Sequence, residues 1–347
     1  MKRFLALFLS LIMVVALFTG CGTKQETPAA ESPAAEAPAA EPIVMKYAVT
    51  FPGTGTQADG AEKFKELVEE YSEGRIVVEI YYSSQLGGNT ESMEGLRAGT
   101  IEATELALTA ISAYSDIWST FSLPYLWDSG EEAVNIINSD SIMEILQADV
   151  QANGMMIIAW QNLGSRSILN SMNPINEPKD MKGMRIRVIQ DPTLVDGINA
   201  MGGSAVAMAW GECYAGLEQG TIDGLENSTP VIVANSMYEV AKYFSLTEQF
   251  IMPDPILISS VWFESLSAED QEAILKAGAE YTRVWNEEIW PEAEDAALQT
   301  MIDAGVEVNE VNKAAFLEAT QAVRDAFVAK GSEGQVALYN AIMEAKG

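Results

Sequence analysis

The stretch "GMRIRVI", residues 183–189, sets Arg185 and Arg187 two apart in what reads as a short strand. Side chains alternate across a strand, so both guanidiniums project from one face and Met184, Ile186 and Val188 from the other. Only eight arginines occur in the chain, and two of them fall in this one apolar segment. Arg166, in "NLGSRSI", follows the carboxyl end of a second apolar strand, "MMIIAW". In open α/β sheets ligands bind outside the carboxyl ends of strands, which selects Arg187 and Arg166. Arg185 stands nearer its strand's start and reads as a surface residue paired with nearby acids. Two guanidiniums converging from two strand ends form a fixed fork for a carboxylate, a geometry that Arg supplies and Lys does not.

Other chemistries find less support. The chain has no histidine, which removes His-based general-base catalysis, Ser-His-Asp and Cys-His nucleophiles, and His-ligated zinc. Cys213, between Glu212 and Tyr214, has no cation in local sequence to activate its thiol and reads as a small buried residue. Fifty acids make carboxylate pairs inevitable, most of them on solvated helix faces, and the spaced D-x-D-x-D-G calcium loop is missing. The loop "FPGTGTQADG" lacks both the G-x-G-x-x-G spacing and a P-loop Lys, so it reads as a cleft-lining turn. Asn227, in "ENST", matches a glycosylation sequon but is more informative as a hydrogen-bonding side chain just after a strand. Trp160 fits core packing or a cleft wall, whereas Trp210, in the polar turn "AWGECY", fits a cleft wall better. No catalytic residue, metal or cofactor is expected.

The elements that must carry these residues alternate. "MKYAVTF" and "RIVVEIYY" read as strands around a helix that holds Phe64, Leu67, Val68 and Tyr71 on one face and ends at Gly74. "TIEATELAL" reads as a strand, "GEEAVNIINSDSIMEILQADVQANG" as helical and "MMIIAW" as a buried strand. The same alternation runs on through "GMRIRVI", "SAVAM", "TIDGLE", "KYFSLT" and "ILISSVWF" and argues for an α/β fold with mostly parallel pairing. Beyond Ser267, which with Asp270 makes a capping box, Ile274, Tyr281 and Trp285 hold one helical face until Pro291, which should end or kink the helix. "AGVEV" is a last strand, and two helices finish the chain.

The 347 residues suggest two domains after a leader is removed. Residues 1–20 carry Lys2 and Arg3 before an apolar run that is too short for a permanent membrane span, which marks a secretory signal. The ending "LFTGC" resembles a bacterial lipoprotein processing site, with Cys21 as the lipidated residue and Phe18 where Leu is usual. Residues 21–43, rich in Ala, Pro and Glu, read as a disordered tether. A net charge of −30 disfavours nucleic acid as a partner, since affinity there comes from basic residues neutralising phosphates. That same charge does not forbid a small anion: exposed charges are screened beyond roughly 8 Å, while each hydrogen bond to a charged group is worth about 1.5–3 kcal/mol in a shielded site.

The segments "SSQLGGNTESMEGLRAGTIEATEL", "FSLPYLW", "GSRSILN", "DMKGMRIRV", "AMAWGECYAGLEQGTIDGLEN" and "YEVAKYFSLTEQ" occur in the order found in the DctP family. From about residue 45 to 345 the chain resembles these periplasmic solute-binding subunits of tripartite ATP-independent periplasmic (TRAP) transporters. The resemblance implies an α/β periplasmic-binding-protein clamshell of two domains with a long C-terminal helix spanning both. Domain I would comprise 44–164 plus about 253–292, and domain II 165–252 plus about 293–347. It implies that Arg187 pairs with a ligand carboxylate, that Arg166 supports it, that Trp210 packs on the ligand and that Asn227 binds it. Arg185 falls where the family commonly has Lys away from the ligand. Ala107 stands where some members carry an acid, leaving Glu105, Thr54, Thr56 and Gln57 as weaker pocket candidates. The implied function is extracytoplasmic capture of a small organic acid, a dicarboxylate or related carboxylate, for membrane permease subunits. A sensor input and a secreted carboxylate-dependent enzyme are the alternatives.

Overall fold

The structure, a computed structural model, describes residues 41–347. The leader, Cys21 and nearly all of the tether lie outside the described residues. The first strand, β1 (Ile43–Ala48), is followed by α1 (Thr56–Tyr71), β2 (Ile76–Tyr81), α2 (Asn89–Ala98) and β3 (Ala103–Glu105). In α1, Phe64, Leu67 and Val68 form the buried stripe while Tyr71 is exposed. The chain reverses through Gly74, whose φ of 76° suits a residue without a Cβ. β3 is shorter than the alternation of "TIEATELAL" suggests; two 3₁₀ segments, Leu108–Ala113 and Asp116–Ser122, follow it. Next come α3 (Gly130–Ile137), α4 (Asp140–Ala152) and β4 (Met155–Gln161), so the long helical stretch is broken in two at Asn138 and Ser139.

β5 (Ser165–Asn170), β6 (Arg185–Val188), α5 (Pro192–Ala200), β7 (Ser204–Ala207), α6 (Cys213–Glu218), β8 (Gly224–Asn227), α7 (Thr229–Ala234) and β9 (Tyr243–Ile251) build a second layer. The chain then returns as β10 (Asp254–Ser259) and α8 (Ser260–Ser265). One sheet has the order β2-β1-β3-β10-β4 and the other ends β8-β6-β7 after a strand from the C-terminal region, β9 and β5. Five ladders are parallel and four antiparallel, the latter made by β10 in the first sheet and β5 in the second.

A helical run then spans both layers. α9 (Ala268–Val284) starts at Ser267, whose hydroxyl accepts from the Asp270 N–H, and packs on α1 and β4; α10 (Trp290–Asp303) packs on α7. Pro291 does not end the run: a π turn at Trp285–Ile289, in which the Trp290 N–H reaches back to the Trp285 carbonyl, re-registers the backbone just ahead of the proline and the chain continues as α10. Ile274, Tyr281 and Trp285 are fully buried along it. After β11 (Glu307–Glu310), which pairs with β9, α11 (Lys313–Lys330) packs on α5, and α12 (Glu333–Lys346) on α3 and α4.

The topology dictates where the sheets face each other. The chain leaves the first sheet at the carboxyl end of β4 and re-enters it at the start of β10, so those ends, with the carboxyl ends of β1 and β3, form one edge. It enters the second sheet at the start of β5 and leaves at the end of β9; because β8 is antiparallel to β5 and parallel to β6, Asn227 and Val188 lie at that same edge. The two edges therefore oppose each other across a cleft.

Candidate functional site

Arg187 sits one residue from the cleft end of β6, level with Val206 on one neighbour and Leu225 on the other. It is 3% exposed. Its Nε donates to the Met208 carbonyl at 2.9 Å, and its guanidinium lies 5.2 Å from the centre of the Trp210 ring. Among the described residues no protein acceptor takes a hydrogen bond from Nη1 or Nη2. Burial lowers the pKa of this group, and Arg166 pulls the same way against Cys213 and Glu226. An arginine nevertheless keeps its charge in proteins, so a cation with two undirected donors is held in a shielded place.

Arg166 is buried as well, but Glu226 claims it: Nε and Nη2 grip the two carboxylate oxygens, Nη2 at 2.9 Å, and Nη2 also donates to the Glu226 carbonyl. Burial works against its charge and Glu226 more than restores it, so its pKa lies above the ordinary guanidinium value. Leu225 and Asn227 share the sheet face of Arg187, and Glu226, between them, belongs to the opposite face with the Arg166 it binds. The two arginines thus reach the same edge from two faces, one already neutralised. Arg185, by contrast, is exposed and paired with Asp223 at 2.7 Å, as its place near the strand's start implies.

Asn227, buried at the end of β8, accepts from the Ser228 N–H through Oδ1, which leaves its Nδ2 toward the cleft edge without a protein acceptor among the described residues. Trp210 opens a 3₁₀ turn after β7, donates its indole N–H to Asn235 at 3.2 Å and packs against the apolar cluster that contains Tyr47 and Phe51 of the first layer. Cys213 is buried and its thiol is pushed up to about 11 by burial, an inert environment. Trp160 is core: it stacks on Trp118 with ring centres 6.3 Å apart.

The opposing edge holds Glu105 and Gln57, weaker candidates from the family resemblance, together with Asp254, which no motif marked. Glu105, at the end of β3, accepts from Gln57 Nε2 at 3.1 Å and from the Tyr47 hydroxyl at 3.3 Å. Burial raises its carboxyl to about 8, with Asp254 adding to the rise and Gln57, Gln161 and Tyr47 opposing it. Asp254 starts β10 and accepts from the Leu108 N–H at 2.9 Å; burial raises it to about 7 against that bond and Arg166. Gln57 lies in the first turn of α1, just after Gly55 (φ 86°), which comes so near the second layer that an added Cβ would stand 3.0 Å from the Ala234 side chain. Thr54, on the loop before α1, is exposed, and Thr56, the first residue of α1, is half-buried. Two hollows lie away from Arg187: about 590 Å³ between β2 and α2, and about 350 Å³ beside the β4–β5 crossing, lined by Trp127, Glu248 and Glu294 among others. Neither is lined by Arg187, and the site is marked by its chemistry.

The profile of the bacterial extracellular solute-binding proteins, family 7 (DctP), matches residues 48–331. The chain belongs to the DctP family. A TRAP periplasmic solute-binding protein from Chromohalobacter salexigens, solved with bound D-glucuronate, superposes with a TM-score of 0.83 at 30% identity, covering 87% of this chain and 99% of that one. One from Sulfitobacter, with bound β-D-galacturonate, gives 0.82 at 30% identity, over 87% and 99%. The C4-dicarboxylate-binding periplasmic protein DctP of Rhodobacter capsulatus is 30% identical over 290 residues, 82% of this chain and 86% of its own. DctP-family proteins and these structural neighbours are transport solute-binding proteins, not enzymes, and act outside the cytoplasm. The two-layer α/β architecture with its long C-terminal helical run is the fold they share.

Proposed function

We propose that this DctP-family protein captures a small organic acid in the cleft between its sheets and delivers it to the membrane permease subunits of a TRAP transporter. One observation carries the reading: Arg187 presents two donors without a protein acceptor among the described residues while only 3% exposed. Charged groups buried without partners are costly, and a bidentate carboxylate is the partner a guanidinium fits. Trp210 forms the wall that holds the guanidinium plane, Asn227 Nδ2 offers a further donor, and Arg166, neutralised by Glu226, offers its remaining Nη1. The sugar acids bound by the Chromohalobacter and Sulfitobacter proteins and the dicarboxylate named for the Rhodobacter one all carry the carboxylate this anchor requires.

Domain I then comprises 44–164 plus about 253–292 and domain II 165–252 plus about 293–347, with closure by bending at the crossings. Lipidation of Cys21 would tether the protein outside the cytoplasm; a Cys21→Ala protein appearing in the soluble instead of the membrane fraction tests that anchor. A thermal-shift screen over organic acids tests the function as a whole, because a ligand that binds only the folded state raises the melting temperature. Absence of any shift across dicarboxylates, sugar acids, keto acids and aromatic acids refutes it.

A further inference from the structure

Resting on the reading of Arg187 as a carboxylate anchor, we infer that the cleft takes one carboxylate only: the first-sheet edge, through Glu105 and Asp254, receives hydroxyl groups and turns away a second carboxylate. The charges near the cleft are unevenly matched. On the second-sheet side Arg166 is consumed by Glu226, so Arg187 is the one guanidinium there left to neutralise an incoming anion. On the first-sheet side, the register sets Glu105 opposite Ile256 and Asp254 opposite Gln161; since Asp254 and Ile256 are two apart, both acids and Gln161 project from one face as near neighbours at the cleft end. Glu105 is 2% exposed and Asp254 8%, and among the described residues neither forms an ion pair. Their bonds come from neutral donors, Gln57 and Tyr47 on Glu105 and the Leu108 N–H on Asp254.

A carboxylate brought against this edge would meet two acids in a desolvated space, where the guanidinium that acts on Asp254, Arg166, is already paired with Glu226. Three carboxyls would then crowd one buried space, and holding them there demands further protons or leaves like charges together, either of which lowers affinity. A sugar hydroxyl escapes the conflict because it both donates and accepts. Amide and phenol groups around the acids extend the same neutral, hydroxyl-compatible lining. This separates the chain from the dicarboxylate specificity for which its Rhodobacter relative is named.

The test is calorimetric titration of the purified protein at pH 7 with two matched pairs, D-glucuronate against D-glucarate and D-galactonate against galactarate, with succinate as a third diacid. At least one monoacid should bind, its diacid at least about 100-fold more weakly. Glu105→Gln and Asp254→Asn, which keep shape and remove the acid, should narrow that ratio; the wild-type ratio stands even if a variant fails to fold. Monoacid and diacid bound within about tenfold, or succinate bound more tightly than either monoacid, overturns the inference and leaves Arg187 as an anchor. An unchanged ratio in both folded variants overturns the assignment to these residues. If none of the acids binds, the proposed function itself fails and the inference falls with it.

Discussion

Replacing Arg187 by Ala separates binding from folding. In the complex, Nη1 and Nη2 each donate to a charged acceptor, worth about 1.5–3 kcal/mol apiece, so the variant should lose about 3–6 kcal/mol of binding. That corresponds to a Kd raised by roughly 10² to 10⁴. In the free protein the change removes the Met208 hydrogen bond and the contact with the Trp210 ring, each worth on the order of 1 kcal/mol, but also removes a charge whose lowered pKa records its desolvation. These terms oppose each other, and the free melting temperature should move by only a few degrees. At a ligand concentration of about 100 times the wild-type Kd, wild type gains about 2.7 kcal/mol of apparent stability, whereas a variant with a thousandfold weaker Kd gains next to nothing. The assay is thermal unfolding of both proteins with and without an acid the wild type binds, followed by calorimetric titration. Arg187→Lys should fall between, since an ammonium keeps the charge and loses the planar fork. A Kd for Arg187→Ala within about threefold of wild type refutes the anchor role and the reasoning from unpaired donors.

Glu226→Ala strands Arg166 as a buried cation and should destabilise the fold by about 3–5 kcal/mol in urea unfolding, while Arg166→Met with Glu226→Leu recovers much of the loss. The raised carboxyls of Glu105 and Asp254 hold protons in the folded state that the unfolded chain has released, so their contribution to stability falls as pH rises from about 4 to about 8 and is flat above; the lowered carboxyls of Asp223 and Asp270 act only below that window. Urea midpoints compared at pH 5 and pH 8 should therefore decline, and Glu105→Gln should flatten the decline; a midpoint that rises across the window contradicts the burial argument. Gly278→Ala would place a methyl 2.1 Å from the Ile158 carbonyl where α9 crosses β4, and should cost about 1–3 kcal/mol, read as a lower melting temperature.

The legible parts of the molecule are those decided within a few residues. Alternation in "GMRIRVI", the capping pair Ser267 and Asp270, and the buried face of Ile274, Tyr281 and Trp285 all follow from local periodicity, and the structure keeps them. Pro291 fails as a terminator because a π turn, stabilised by tertiary contacts of Trp285 with Asn162, re-phases the helix just ahead of it. At the site the same boundary holds. Strand ends and residue type mark Arg187, but by themselves they do not say that Arg166 will be held by Glu226 and Arg187 by no acid. Had the partners been exchanged, the same two strands would present Arg166 as the unpaired donor and the cleft would bind from its other face. Which arginine stays free depends on which face of β8 each residue occupies, and "GLEN" does carry that signal, since alternation separates Glu226 from Leu225 and Asn227. Glu105 and Asp254 carry none: they come from distant segments and meet only because β10 returns to lie beside β3, so their shared burial, and with it the neutral wall opposite Arg187, arises from topology rather than from any motif.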